Sequence, residues 1–211
     1  MTQRFAVKMF VSLLALAAAS GAQARGDFGL APVFTDHAVL QRDKPVAVWG
    51  QAPANEVVDL TLSDGGRIVA SASGKTDASG RFSLSLPQQA AGGPYVLTVS
   101  DTRGHTQTLN DILVGDVWLC SGQSNMEFPL KAANNGAGEV AGASDPLLRI
   151  FDVPRNSQAA PVTGFAKETQ WKVSSPAAAA DTSAVCYFMA RQLADALHVP
   201  QGMIHASWGG T

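Results

Sequence analysis

The 211-residue chain carries 15 basic and 17 acidic residues, a formal net charge of −2, with no block of like charges along it. A weakly acidic, evenly charged surface does not suit a polyanion, so nucleic acid is not an expected partner. Two cysteines, Cys120 and Cys186, exclude a disulfide framework and leave open whether they form one bridge or stay as two core thiols.

The first 24 residues are expected to be a cleavable signal peptide. Arg4 and Lys8 precede the apolar stretch Met9 to Ala19, which is too short to cross a bilayer, and Ala22-Gln23-Ala24 supplies the small-x-small pattern of a cleavage site. Cleavage after Ala24 would leave a secreted or periplasmic chain of 187 residues, with 13 basic and 17 acidic side chains. No later apolar run reaches spanning length, so no membrane partner is expected after cleavage.

From Phe28 to about Asn110 the pattern is β. Val46-Ala47-Val48-Trp49 ends at Gly50, and Val57 to Leu62 ends at the turn signal Asp64-Gly65-Gly66. Arg67 to Ala70 follows. Asp77-Ala78-Ser79-Gly80 turns into Arg81 to Leu86, which places Phe82, Leu84 and Leu86 on one face, and Tyr95 to Val99 makes a further strand. Short strands separated by turns every 8–12 residues predict a small antiparallel sandwich over 25–112.

Beyond Leu113 the pattern changes. Val114, Val117, Trp118, Leu119 and Cys120 predict a strand buried on both faces. Lys131 to Ser144 reads as helix or loop, and Leu147 to Val153 as a short extended segment. Asp181-Thr182-Ser183 offers helix caps. Val185, Phe188, Met189, Leu193, Ala196 and Leu197 then fall on one stripe of an amphipathic helix. Gly202 to Ser207 is the next strand, closing at Trp208-Gly209-Gly210. Strand, helix, strand predicts a parallel α/β unit over 113–211, the front part of a larger sheet.

Active sites in such sheets gather beyond the carboxyl ends of the strands, where Gly122-Gln123-Ser124-Asn125 lies. Gly122 permits a sharp turn, Ser124 supplies a hydroxyl, and backbone N–H groups at a helix start and at Gly209-Gly210 can receive an oxyanion. A plain serine-rich turn fits the same letters, and no second glycine completes a G-x-S-x-G elbow.

The stretch GDVWLCSGQSNMEFPL resembles the nucleophile block of sialate O-acetylesterase-like proteins, a branch of the SGNH (GDSL-like) hydrolases. FTDHAVLQRDKPVAVWGQA is similar to the start of that family's N-terminal β domain, TSAVCYFMARQLADAL to its helix, and GMIHASWGGT to its second block. The resemblance covers residues 30–211. It implies an α/β chain: an antiparallel β-sandwich domain, then the first part of a flavodoxin-like parallel α/β domain. It also implies release of acetate from O-acetylated sugars, with Ser124 as nucleophile and Gly209 as an oxyanion-hole glycine.

Asn125 and Trp208 are the side chains expected to touch substrate; Trp49 and Trp118, being in strands, are expected in the core. No cofactor or metal is implied. The asparagine block and the terminal Asp/His block of that family do not occur in these 211 residues. Of the four histidines, His37, His105 and His198 lie away from the serine block, and His205, the nearest, is expected to be structural. The rival assignment is a carbohydrate-binding β module joined to an inactive hydrolase remnant.

Overall fold

A computed structural model describes residues 28–210; the expected leader and its cleavage site lie outside them. In chain order the first strands are β1 (Gly29–Leu30), β2 (Val39–Gln41), β3 (Val46–Gln51), β4 (Val57–Asp64), β5 (Arg67–Lys75), β6 (Arg81–Leu86), β7 (Gly92–Asp101) and β8 (Thr106–Gly122). Then come helix α1 (Ser124–Glu127), a 3₁₀ turn at Leu130–Ala132, α2 (Gly136–Ala141), β9 (Asp145–Asp152), β10 (Lys172–Ser174), α3 (Pro176–Ala179), α4 (Ala184–Leu197) and β11 (Gln201–Ser207).

Two sheets arise. A small antiparallel one has the order β1-β3-β6, and a mixed one has the order β10-β9-β11-β8-β7-β4-β5, with β2 beside β8. Alternation dictates which side chains go inward: Phe82, Leu84 and Leu86 are buried while Arg81, Ser83 and Ser85 are exposed. Burying each such side chain contributes roughly 1.5–3 kcal/mol. They meet Leu60, Leu62, Leu97, Val99 and Ile112 of the facing sheet in one core that reaches Phe151 and Trp171. Between β4 and β5 the chain turns at Gly65 and Gly66, both with positive φ (53° and 86°), a region that glycine enters at no steric cost.

β8 is one strand of 17 residues serving both halves of the larger sheet. Its first part pairs antiparallel with β7, from Ser100↔Thr106 to Gly92↔Val114. From Asp116 to Gly122 it pairs in parallel with β11, which in turn pairs in parallel with β9. The change of partner falls at Gly115. A β-carbon there would overlap the carbonyl of Pro200, the residue that begins the approach to β11, so the exchange needs glycine.

Two sequence expectations fail here. The strand ending at Cys120 is not buried on both faces: α4 covers Cys120, whereas Leu119, pointing the other way, is 70% exposed. The apolar stripe chosen for α4 is also the wrong one. Ala184, Cys186, Tyr187, Ala190 and Ala194 face the sheet, and Val185 and Leu197 are half exposed. Close approach of a helix to a sheet favours small side chains, so the alanine and cysteine side packs and the larger residues flank it. Ser183 caps α4 as expected, accepting from the Cys186 N–H at 3.3 Å. Cys120 and Cys186 are bonded to each other, with Cα atoms 6.1 Å apart, which ties the end of β8 to the first turn of α4.

Candidate active site

The parallel register brings three strand ends together. Ser207 lies opposite Gly122 and His205 opposite Cys120 across the β8–β11 pair, and His205 lies opposite Asp152 across β11–β9. Gly122 takes φ +148°, where a β-carbon would stand 3.2 Å from that of Met126. Its carbonyl accepts from the Trp208 N–H at 3.0 Å, which stitches the two strand ends together. The Glu127 N–H then returns to the Gln123 carbonyl (2.9 Å), closing the single turn of α1 that Ser124 opens.

Glu127 binds across to the opposite strand end. Its Oε2 accepts from the Gly209 N–H at 2.7 Å, and its Oε1 pairs with the Arg155 guanidinium, which also lies 5.9 Å from the Trp208 ring centre. A β-carbon on Gly209 would run into Glu127 Oε2 and stand 3.7 Å from Ser124 Oγ. Ser124 and Gly209 are therefore neighbours, as their sequence blocks imply. The Gly209 amide, however, is engaged by a carboxylate in this conformation rather than held open.

Ser124 is exposed and opens on a cleft of about 1320 Å³ whose walls include Glu127, Asp152, Arg155, His205 and Ser207. Neither Asn125 nor Trp208 lines it. His205 is mostly enclosed, its side chain 11% exposed. Its Nδ1 lies 3.2 Å from Asp152 Oδ1 and its Nε2 lies 2.6 Å from Ser207 Oγ. The other histidines are engaged elsewhere. His37 bonds Asp111 (2.7 Å), His105 bonds Asp101 (2.7 Å), and His198 ends α4 in the left-handed conformation. Among the described residues no histidine bonds Ser124.

The tryptophans differ from expectation. Trp49 (46% exposed) and Trp118 (37%) lie on outward strand positions rather than in the core, and Trp208 is 38% exposed. Trp171 is the buried one, donating from Nε1 to the Val33 carbonyl at 2.8 Å. Reasoning along the chain missed Asp152 and Arg155. The only signal for them was that Asp152 ends an extended segment, and a strand end marks the active edge only once the strand is placed in the parallel sheet.

Fold and site together define a class: a hydrolase-like α/β fold with an antiparallel β domain feeding its central strand. No protein-family model matches the chain. Sialate O-acetylesterase of Mus musculus is 31% identical over 198 residues, covering 87% of this chain and 36% of that protein. The Homo sapiens sialate O-acetylesterase is 31% identical over 196 residues, covering 87% and 38%. Among solved structures, a carbohydrate acetylesterase from Xanthomonas citri superposes with a TM-score of 0.79 at 40% identity, over 87% of this chain and 41% of that one. The chain is similar to these sialate O-acetylesterases over the stretch it shares with them, and it spans little more than a third of the length of the mouse and human relatives.

Proposed function

We propose that this protein is a carbohydrate O-acetylesterase in which Ser124 attacks the acetyl carbonyl. One observation carries the proposal: Ser124 stands beside Gly209 at the carboxyl edge of the parallel sheet, on a cleft, in a chain 40% identical to a carbohydrate acetylesterase. The serine proton passes to a base, the sugar leaves, and water releases acetate from the acetyl-enzyme. The oxyanion takes the N–H groups of Ser124 and Gly209, so the Gly209 amide must exchange Glu127 for substrate. Arg155 remains to hold the Glu127 carboxylate when that happens. The base for Ser124 is a His–Asp pair from outside these 211 residues; the relatives, of which the chain spans little more than a third, leave room for it. The reaction needs no cofactor.

The test is a pair of serines. In the complete protein, Ser124→Ala should abolish acetate release from O-acetylated sugars with the fold intact, while Ser121→Ala, before the turn, keeps most activity. Activity in Ser124→Ala, or its loss in Ser121→Ala, would refute the assignment. Export belongs to the same proposal and is supported by the bridge between Cys120 and Cys186, which suits an oxidising compartment. Protein secreted by a bacterial host should begin at Arg25 by mass spectrometry; an intact Met1 on soluble cytoplasmic protein would contradict export.

A further inference from the structure

The cleft holds a second serine, and this one has a base. Ser207 and His205 are two residues apart on β11, hence on the same face of the strand, and Asp152 sits opposite His205 on β9. The contacts among them set the imidazole between a carboxylate and a hydroxyl. An ionised carboxylate only accepts, so His205 Nδ1 carries its hydrogen and donates it to Asp152 Oδ1 (3.2 Å). In the neutral imidazole Nε2 then carries the lone pair, and the Ser207 hydroxyl, 2.6 Å away, donates to it. The other oxygen of Asp152, Oδ2, faces Lys172 Nζ at 3.7 Å. The result is a hydroxyl, an imidazole that accepts its proton, and a carboxylate that fixes the imidazole's tautomer, all on the wall of one cleft.

We propose that Ser207 is a second, independent nucleophile of this cleft, activated by His205 and Asp152 toward small carboxylic esters. With an acetyl ester, Ser207 Oγ bonds to the carbonyl carbon as its proton passes to His205 Nε2. The carbon–oxygen bond to the alcohol breaks, and the departing oxygen takes that proton. Water, deprotonated by the same nitrogen, then releases acetate. All three residues lie within the 211-residue chain, and their activity is separate from that of Ser124.

Diisopropyl fluorophosphate is the probe, applied to the 211-residue chain carrying Ser124→Ala. Attack by Ser207 forms an oxygen–phosphorus bond, expels fluoride and sends the hydroxyl proton through His205 to solvent, leaving one stable phosphoryl adduct. Peptide mass spectrometry should place that adduct on Ser207. Adding Ser207→Ala should remove it. Adding His205→Ala should slow its formation by at least about 100-fold, the smaller contribution expected of a positioned general base. Asp152→Asn, a gentler change, should also slow it, and circular dichroism of each variant must match the parent. A folded Ser124→Ala chain that takes no label at Ser207 overturns the proposal. So does labelling of Ser207 at an unchanged rate in a folded His205→Ala or Asp152→Asn variant.

Discussion

Breaking the bond between Cys120 and Cys186 gives a stability loss whose size follows from the chain. The two residues are 66 apart in sequence, so the bond removes a long loop from the unfolded ensemble. In the chain-entropy picture a loop of that size stabilises the folded state by about 4 kcal/mol. For a chain of this length each kcal/mol moves the melting midpoint by roughly 2–4 °C, so reduction should lower it by about 10 °C. Cys120 and Cys186 are 5% and 1% exposed, so a reductant added to folded protein will act only through opening. The assay is therefore calorimetry on protein unfolded and refolded in dithiothreitol, with thiol titration to confirm two free thiols. The Cys120→Ala/Cys186→Ala variant, which no reductant can alter, should melt close to the reduced protein. If reduced and oxidised chains melt within 2 °C of each other, the bridge contributes little and the entropic argument fails for this loop.

Two further predictions concern charges. Arg149, whose side chain is 4% exposed, makes a two-pronged bond to Asp111 (2.9 and 3.2 Å), linking β9 to β8. Asp111→Asn leaves a buried guanidinium under-compensated and should cost about 2–4 kcal/mol in urea unfolding, a range set below the fully buried case because Asp111 is 31% exposed. Arg149→Met removes the buried charge itself and should cost less; the reverse order would show that the charge is not what matters. Asp77 is held at about 2, below its ordinary 3.8, first by the Ser79 hydroxyl and then by the Arg81 N–H. A lowered carboxyl stabilises the fold above the unfolded value and loses that contribution as pH falls toward the folded one. The melting gap between wild type and Asp77→Ala should thus be constant above about pH 4 and close by about pH 2, and a gap unchanged at pH 2 would exclude the carboxylate as its source.

What could be read from the chain, and what could not, follows from the range of each physical cause. Phe82, Leu84 and Leu86 were placeable because a strand's inward face is decided by residues two apart, and Ser183 as a cap because its partner is three residues on. The buried side of α4 was not placeable. Val185, Phe188 and Leu197 form a respectable stripe, but the helix lies close against β11, and that closeness selects Cys186, Ala190 and Ala194 instead. The active edge shows the same division. Ser124 was singled out by the resemblance of the whole stretch GDVWLCSGQSNMEFPL to a known block, because Gly122 and Gln123 by themselves fit a plain turn equally well. Its surroundings come from elsewhere: Gly209, 82 residues from the Glu127 that holds its amide, and Asp152, 53 residues from the His205 it orients. These meet only because β9, β11 and β8 lie in that order with parallel registers. His205 illustrates the consequence. Alone on a strand it is one more histidine with a hydroxyl two residues away. Once Asp152 is placed beside it, Nδ1 has an acceptor for its proton, and in the neutral imidazole Nε2 is the nitrogen that can accept from Ser207. Chemistry at this edge is therefore a property of strand order, and a rearrangement that kept every residue but moved β9 away from β11 would leave Ser207 an ordinary hydroxyl.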